Sequence, residues 1–245
     1  MNALTVPALA GLWSRSLLAL PDGQRDTDTL VTWLQGPSLF VDLRIPAGRP
    51  DFFHVTTLTD LTMDDCLWLA TQQGFAGLFR QEDGVFWWHR EIDFHPPAPL
   101  PDAGKLFWDG EVLVETGHFS DYLEHWHRTP NAIARPAVAL RLRSRTDGRA
   151  AIFVRAGGVF MFARARSPEL ALTAPTLAAC VEGAEDLRTA QALVDCELSL
   201  GEVEGWHITR SSLPFREGAA LAVQHTGSCL MLNGVAWEIL LEESA

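Results

Sequence analysis

The stretch LFVDLRI, Leu39–Ile45, alternates residue by residue: Val41, Leu43 and Ile45 share one face, and Asp42 and Arg44 share the other. A period of two belongs to a β-strand, whose successive side chains point to opposite sides of a sheet. Segments of the same kind recur at Leu30–Leu34, Phe52–Leu58, Gly84–Phe94, Val112–Glu115, Tyr122–His127, Ala137–Arg145, Ala150–Arg155 and Val159–Arg166. Between them lie turn formers, among them Gln35-Gly36-Pro37, Pro46-Ala47-Gly48, Asp83-Gly84, Asp147-Gly148, Gly157-Gly158 and Asn233-Gly234. Strands and turns alternating this closely describe an all-β chain of antiparallel sandwiches or barrels. Helical pattern is confined to Ala178–Asp195 and to Asp64–Gln73, the latter readable as a short helix or a strand.

The chain has 245 residues, long enough for two small barrels. Strand-like sequence continues on both sides of the proline-rich run from Pro96 to Pro101, so that run reads as a stiff loop. The better boundary is Thr129-Pro130-Asn131 with Arg135-Pro136, giving one barrel over 1–130 and another over 131–245. Of the net charge of −12, the first part carries −10, from 8 basic and 18 acidic side chains. Such a surface repels phosphate, which argues against nucleic acid or an anionic membrane as its partner. Cys66, Cys180, Cys196 and Cys229 are widely spaced in apolar settings and read as small buried hydrophobes. Met1–Leu20 lacks a basic start and is interrupted by Arg15 and Ser16, so it reads as neither a signal peptide nor a membrane span. The expected setting is the cytoplasm.

Several short motifs stand together: Phe75-Ala76-Gly77, Asp93-Phe94, Trp108-Asp109-Gly110, Glu115-Thr116-Gly117, Glu124 with Trp126, and Asn233-Gly234 followed by Trp237-Glu238. They resemble a little-characterised family of fungal and bacterial proteins, named for a fungal member that interacts with a casein kinase I homologue. The resemblance implies two calycin-like (lipocalin-like) antiparallel β-barrels in tandem and a molecular function that is unassigned. It implies no catalytic residues. The fungal member's kinase partner is not carried over to this chain, whose arginine-rich composition, with a single lysine, points to a bacterium.

Four groups of residues are candidates for chemistry. If the Asp42 and Arg44 face points into the first barrel, Arg90, Asp93, Glu115 and Glu124 on later strands are positioned to join it in orienting a ligand. If that face points outward, all of them are ordinary solvated residues. Nine tryptophans include the adjacent Trp87 and Trp88, which cannot both be interior; Trp88 is taken as the ligand-facing one. His125 and His127 share a strand face, with His89, His95 and His118 elsewhere, but two imidazoles without a third ligand do not make a metal site, and no metal or cofactor is assigned. Arg141, Arg143, Arg145, Arg149, Arg155, Arg164 and Arg166 fall within 26 residues, and neighbouring strands are expected to gather several into one basic face.

The phosphate loop, dinucleotide fingerprint, nucleophile elbow and zinc-protease motif are absent from the sequence. The leading expectation is therefore a non-enzymatic protein binding a small apolar or amphipathic ligand in the first barrel through Asp42, Arg44, Trp88, Arg90, Asp93, Glu115 and Glu124. One alternative is a protein-interaction or homodimerisation module using the arginine face. The other is a lumen enzyme with Asp93 or Glu115 as general base and Arg44 or Arg90 as electrostatic stabiliser.

Overall fold

A computed structural model describes residues 4–130 and 136–245. Asn131 and Arg135 of the expected boundary lie outside the described residues. Strands β1 (Gly11–Ala19), β2 (Arg25–Asp26), β3 (Leu30–Gln35) and β4 (Leu39–Ile45) precede helix α1 (Met63–Leu69). Then follow β5 (Gln73–Glu82), β6 (Val85–Asp93), β7 (Ala103–Asp109), β8 (Val112–Gly117) and β9 (Leu123–Arg128). Consecutive strands pair antiparallel, and β1 pairs with β9 as well as with β3, which closes an eight-stranded barrel with β2 as a short spur on β1. Closure through β1 and β9 removes the two outer edges that an open sheet of those strands would have.

The second sheet contains β10 (Ala137–Ser144), β11 (Ala150–Ala156) and β12 (Val159–Arg164), then helices α2 (Leu177–Glu182) and α3 (Leu187–Val194). It continues through β13 (Glu197–Glu202), β14 (His207–Ser211), β15 (Val223–Thr226), β16 (Cys229–Leu232) and β17 (Val235–Ser244). Its order is β14-β13-β12-β11-β10-β17-β16-β15. This sheet curls into a half-barrel whose end strands do not pair, so the tandem consists of one closed and one open barrel. In the β16–β17 hairpin, φ is positive at both Asn233 and Gly234, as a tight two-residue turn matched to strand twist requires.

A single core lies between the sheets. Leu34, Leu39, Val41, Leu43 and Ile45 of the first sheet pack with Ala139, Ile152, Val154, Met161, Ala163 and Leu198 of the second. The three helices close one end of this layer through Leu69, Leu177 and Leu193. Arg166 ties the parts together, donating to the backbone carbonyls of Leu193, Asp93 and Phe94. The far face of the second sheet packs its own apolar set, including Phe153, Phe160, Phe162 and Trp237. Among the described residues, no helix is long and apolar enough to cross a membrane.

Three sequence expectations change. Phe52–Leu58 is not a strand: the Asp51 carboxylate accepts from the Phe53 N–H and the Asp60 carboxylate from those of Thr56 and Thr57, local bonds that compete with a sheet ladder. The Ala178–Asp195 segment is two helices, separated at Gly183. The arginines do not form one basic face. Register places Arg141 beside Ile152 and Ala163 on the inter-sheet side, whereas Arg155 faces Phe160 on the opposite side, as Arg164 does beside Ala151.

A β-bulge on β6 decides which side chains enter the first barrel. Gly77 pairs with Arg90 and Ala76 with Ile92, leaving Glu91 as the extra residue. Trp88 and Arg90 point inward, but the bulge reverses the alternation, so Ile92 joins the inter-sheet core and Asp93 turns inward opposite Phe75. The backbones are so close there that a Cβ on Gly77 would be driven into the His89 carbonyl oxygen. Gly77→Ala is expected to destabilise the protein by about 3 kcal/mol, read as a lower urea midpoint.

Candidate functional site

The first barrel is filled at one end and hollow at the other. Along β4, β6 and β9, inward-facing residues change from aromatic to charged: Phe40 then Asp42 and Arg44, Trp88 then Arg90 and Asp93, and Trp126 then Glu124. Trp33 sits at the centre of the filled end, with ring centroids 5.8 Å from Trp13, 5.6 Å from Trp126, 6.0 Å from Trp88 and 5.5 Å from Phe79. Trp33, Trp88 and Trp126 form the floor of a cavity of about 990 Å³. That volume lies at the upper end of the range typical for small-molecule sites.

All seven residues singled out in the sequence lie on the wall of this cavity: Asp42, Arg44, Trp88, Arg90, Asp93, Glu115 and Glu124. The Asp42 and Arg44 face points inward because Val41, Leu43 and Ile45 occupy the inter-sheet core. Trp87 takes the other side of β6, with its ring stacked on His89 at 6.3 Å and set edge-on to Phe119 at 5.7 Å, where it flanks the opening. That opening is a split in the barrel wall. β6 and β7 pair only at Phe86–Gly104 and Trp87–Ala103, supplemented by a bond from the Trp88 N–H to the Asp102 carbonyl. Past that point the strands part, and Pro97–Pro101 forms the rim. Arg90 bridges the split, donating to Asp102 at 2.6 Å and Asp93 at 3.0 Å.

The charges inside are paired in a chain. Arg44 Nε donates to Asp42 Oδ1 at 2.8 Å, and its Nη1 lies 3.7 Å from Glu124 Oε1. Arg15 donates to that same Glu124 oxygen at 2.6 Å and to Asp26 at 2.6 Å. Burial opposes the charge on Arg44, but the carboxylates of Asp42 and Glu124 outweigh it and hold the guanidinium firmly protonated. Burial pushes the Asp42 carboxyl up, against the pull of Arg44, Arg90 and Arg15. The Phe75 ring lies between two guanidiniums, 3.5 Å from Arg90 Cζ and 5.1 Å from Arg44 Cζ.

Glu115 is different. It lies directly across the β8–β9 ladder from Glu124, which Arg15 and Arg44 neutralise, and no arginine bonds to Glu115 among the described residues. Its oxygens accept from Tyr122 Oη at 2.7 Å and Trp126 Nε1 at 3.0 Å. Burial, then the charges of Glu124 and Asp102, raise its carboxyl well above the ordinary range. Of two adjacent carboxyls, one is thus paired with arginines and the other is left without a cation, so that burial raises it.

Sequence reasoning missed Arg15, Asp102, Phe75 and Tyr122. Arg15 shares the parity of the inward-facing Trp13, a signal that alternation along β1 carried, and the register change on that strand comes only after it, between Arg15 and Leu17. Tyr122 carried one usable signal: it is the only tyrosine in the chain. His125 and His127 face away from the cavity, and His127 Nε2 lies 2.8 Å from Ser16 Oγ. Among the described residues, no three His, Cys, Asp or Glu side chains converge on a metal position.

No protein-family profile and no curated protein sequence matches the chain. Its structure is similar to the crystal structure of the uncharacterised protein YLR301w from Saccharomyces cerevisiae, with a TM-score of 0.56. The match covers 95% of this chain and 98% of the yeast chain at 12% sequence identity. The likeness is one of fold.

The Glu115 environment sets a pH dependence. A carboxyl raised on folding binds its proton more tightly in the native state, so its contribution is complete below the ordinary glutamate range and is lost as pH rises through the raised value. Wild-type stability is therefore expected to fall with pH above about 4.5, and Glu115→Gln, a neutral isostere, to flatten that decline. Urea midpoints across the neutral and alkaline range for the two proteins make the comparison.

Proposed function

We propose that the first barrel is a receptor for one small amphipathic molecule. Its apolar part rests on Trp33, Trp88 and Trp126, and its polar part lies among Asp42, Arg44, Arg90, Asp93, Glu115 and Glu124. The observation that carries this reading is the cavity of about 990 Å³, in which an aromatic floor and a buried polar wall face the same space through a gap in the barrel. Charges taken out of water are costly, and a hollow that keeps them without filling itself is better suited to a ligand than to stability. A cytoplasmic setting accords with Cys66, Cys180, Cys196 and Cys229 all being free thiols. The motif likeness to the kinase-interacting protein's family supports membership there, since Phe75, Asp93, Glu115, Glu124 and Trp126 of those motifs line the cavity.

A lumen enzyme is the second reading, favoured by the raised Glu115 carboxyl lying across the ladder from the ion-paired Glu124. Burial raises the Glu115 carboxyl and so suits it to the acid role in place of the base expected from sequence, which leaves Asp93 as the candidate base. The interaction-module reading draws less support from the arginines. Arg141 bonds to Glu91 of the first sheet at 2.5 Å, and Arg149 and Arg164 hold Asp195 at 2.6 and 2.7 Å.

Tryptophan fluorescence reports directly on the floor of the cavity. Titration with a panel of lipids, tetrapyrroles and aromatic acids is expected to give saturable quenching with at least one class, accompanied by a rise in melting temperature. Trp88→Leu is expected to weaken that binding about tenfold or more, the loss of one stacked aromatic contact. Absence of any response across the panel would overturn the reading.

A further inference from the structure

The polar wall does not treat ligand charges alike. Arg44 and Arg90 are the guanidiniums lining the cavity, and each is already turned to carboxylates: Arg44 donates from Nε and Nη2 to Asp42 and holds Nη1 3.7 Å from Glu124, and Arg90 donates from all three nitrogens to Asp93 and Asp102. The face of Phe75 covers them in addition. Arg15, behind Glu124, is shared with Asp26. An entering anion therefore meets no free fork of donors.

An entering cation meets the reverse. The lining holds six carboxyls against two guanidiniums, and only Glu91 among them is paired to the second sheet, through Arg141, which leaves Asp42, Asp93, Asp102, Glu115 and Glu124 facing Arg44 and Arg90. Among the described residues, hydrogen bonds to Glu124 use Oε1 and those to Asp102 use Oδ2, which leaves Glu124 Oε2 and Asp102 Oδ1 without donors. The floor is built of Trp33, Trp88 and Trp126, with Tyr122 beside them, rings whose faces attract a positive group.

Resting on the lumen-binding reading, we infer that the ligand is a hydrophobic organic cation: an ammonium group carried on an aromatic or aliphatic body. Its charge replaces the proton on Glu115. The groups facing that carboxyl are Glu124 and Tyr122 from β9 and the segment before it, Asp102 from the rim, and Arg44 from β4. Adding a positive charge among them supplies the compensation that burial denies. The Glu115 proton then leaves to solvent, the carboxylate pairs with the ammonium, and the charge inside the barrel is unchanged. Burial and the neighbouring carboxylates keep that proton in place until the ligand arrives.

The test uses the full chain and three probes of one shape: 2-naphthylmethylammonium, 2-naphthylmethanol and 2-naphthylacetate. Tryptophan fluorescence is expected to show the ammonium binding at least about tenfold more tightly than the alcohol, with the acetate weakest. Calorimetry in buffers of different ionisation enthalpy, over a pH series from about 4.5 upward, is expected to show release of up to one proton per bound ammonium, and about none for the alcohol. In Glu115→Gln the release disappears and ammonium affinity falls about tenfold. The proton measurement on the unaltered protein stands even if that variant fails to fold. Alcohol or acetate binding as tightly as the ammonium overturns the cation inference and leaves lumen binding intact. Ammonium binding without proton release overturns the role given to Glu115. No response to any of the three overturns both the cation inference and the receptor beneath it.

Discussion

The two-sided burial of β4 governs the rest of the molecule. Leu39, Val41, Leu43 and Ile45 fill the layer between the sheets, and burying each such side chain contributes about 2 kcal/mol. A strand cannot turn one face inward without turning the other outward, so seating those four residues against the second sheet commits Asp42 and Arg44 to the barrel lumen. A one-residue slip would expose the apolar row and drive the charges into the shared core. The docking of the two sheets and the polar character of the cavity are thus one decision made at one strand.

Placing charge in the lumen creates a second constraint. Isolated buried ions cost several kcal/mol each, and pairing must offset that cost. The chain from Asp26 through Arg15, Glu124 and Arg44 to Asp42 does so, while Arg90 with Asp93 and Asp102 does it across the split in the wall. Glu115 is left outside these pairs, and its carboxyl is raised instead.

Much of the architecture was legible along the chain. The period of two marked the strands, turn residues marked most of the hairpins, and the adjacency of Trp87 and Trp88 required one ring on each side of β6. Phe52–Leu58 misled because its composition is strand-like while Asp51 and Asp60 divert its backbone donors, a competition that alternation does not register. The arginines misled because their spacing gave proximity without parity: Arg141 and Arg164 lie on different faces of one sheet. Arg90 and Asp93 have opposite parity in sequence and share the lumen only through the bulge at Glu91. Arg15, two residues after the inward-facing Trp13, was within reach of the same alternation.

The sequence by itself determined the class of fold and the pool of residues from which the site is drawn, because alternation, turn chemistry and charge are local properties of the chain. The tertiary structure alone decided which face of each strand is inside, that the first barrel closes through β1 and β9, and that its charged end is hollow. Those outcomes depend on which apolar faces find each other across the inter-sheet layer, and on bulges that shift parity by one. Both involve residues far apart in sequence, and no local pattern encodes their meeting.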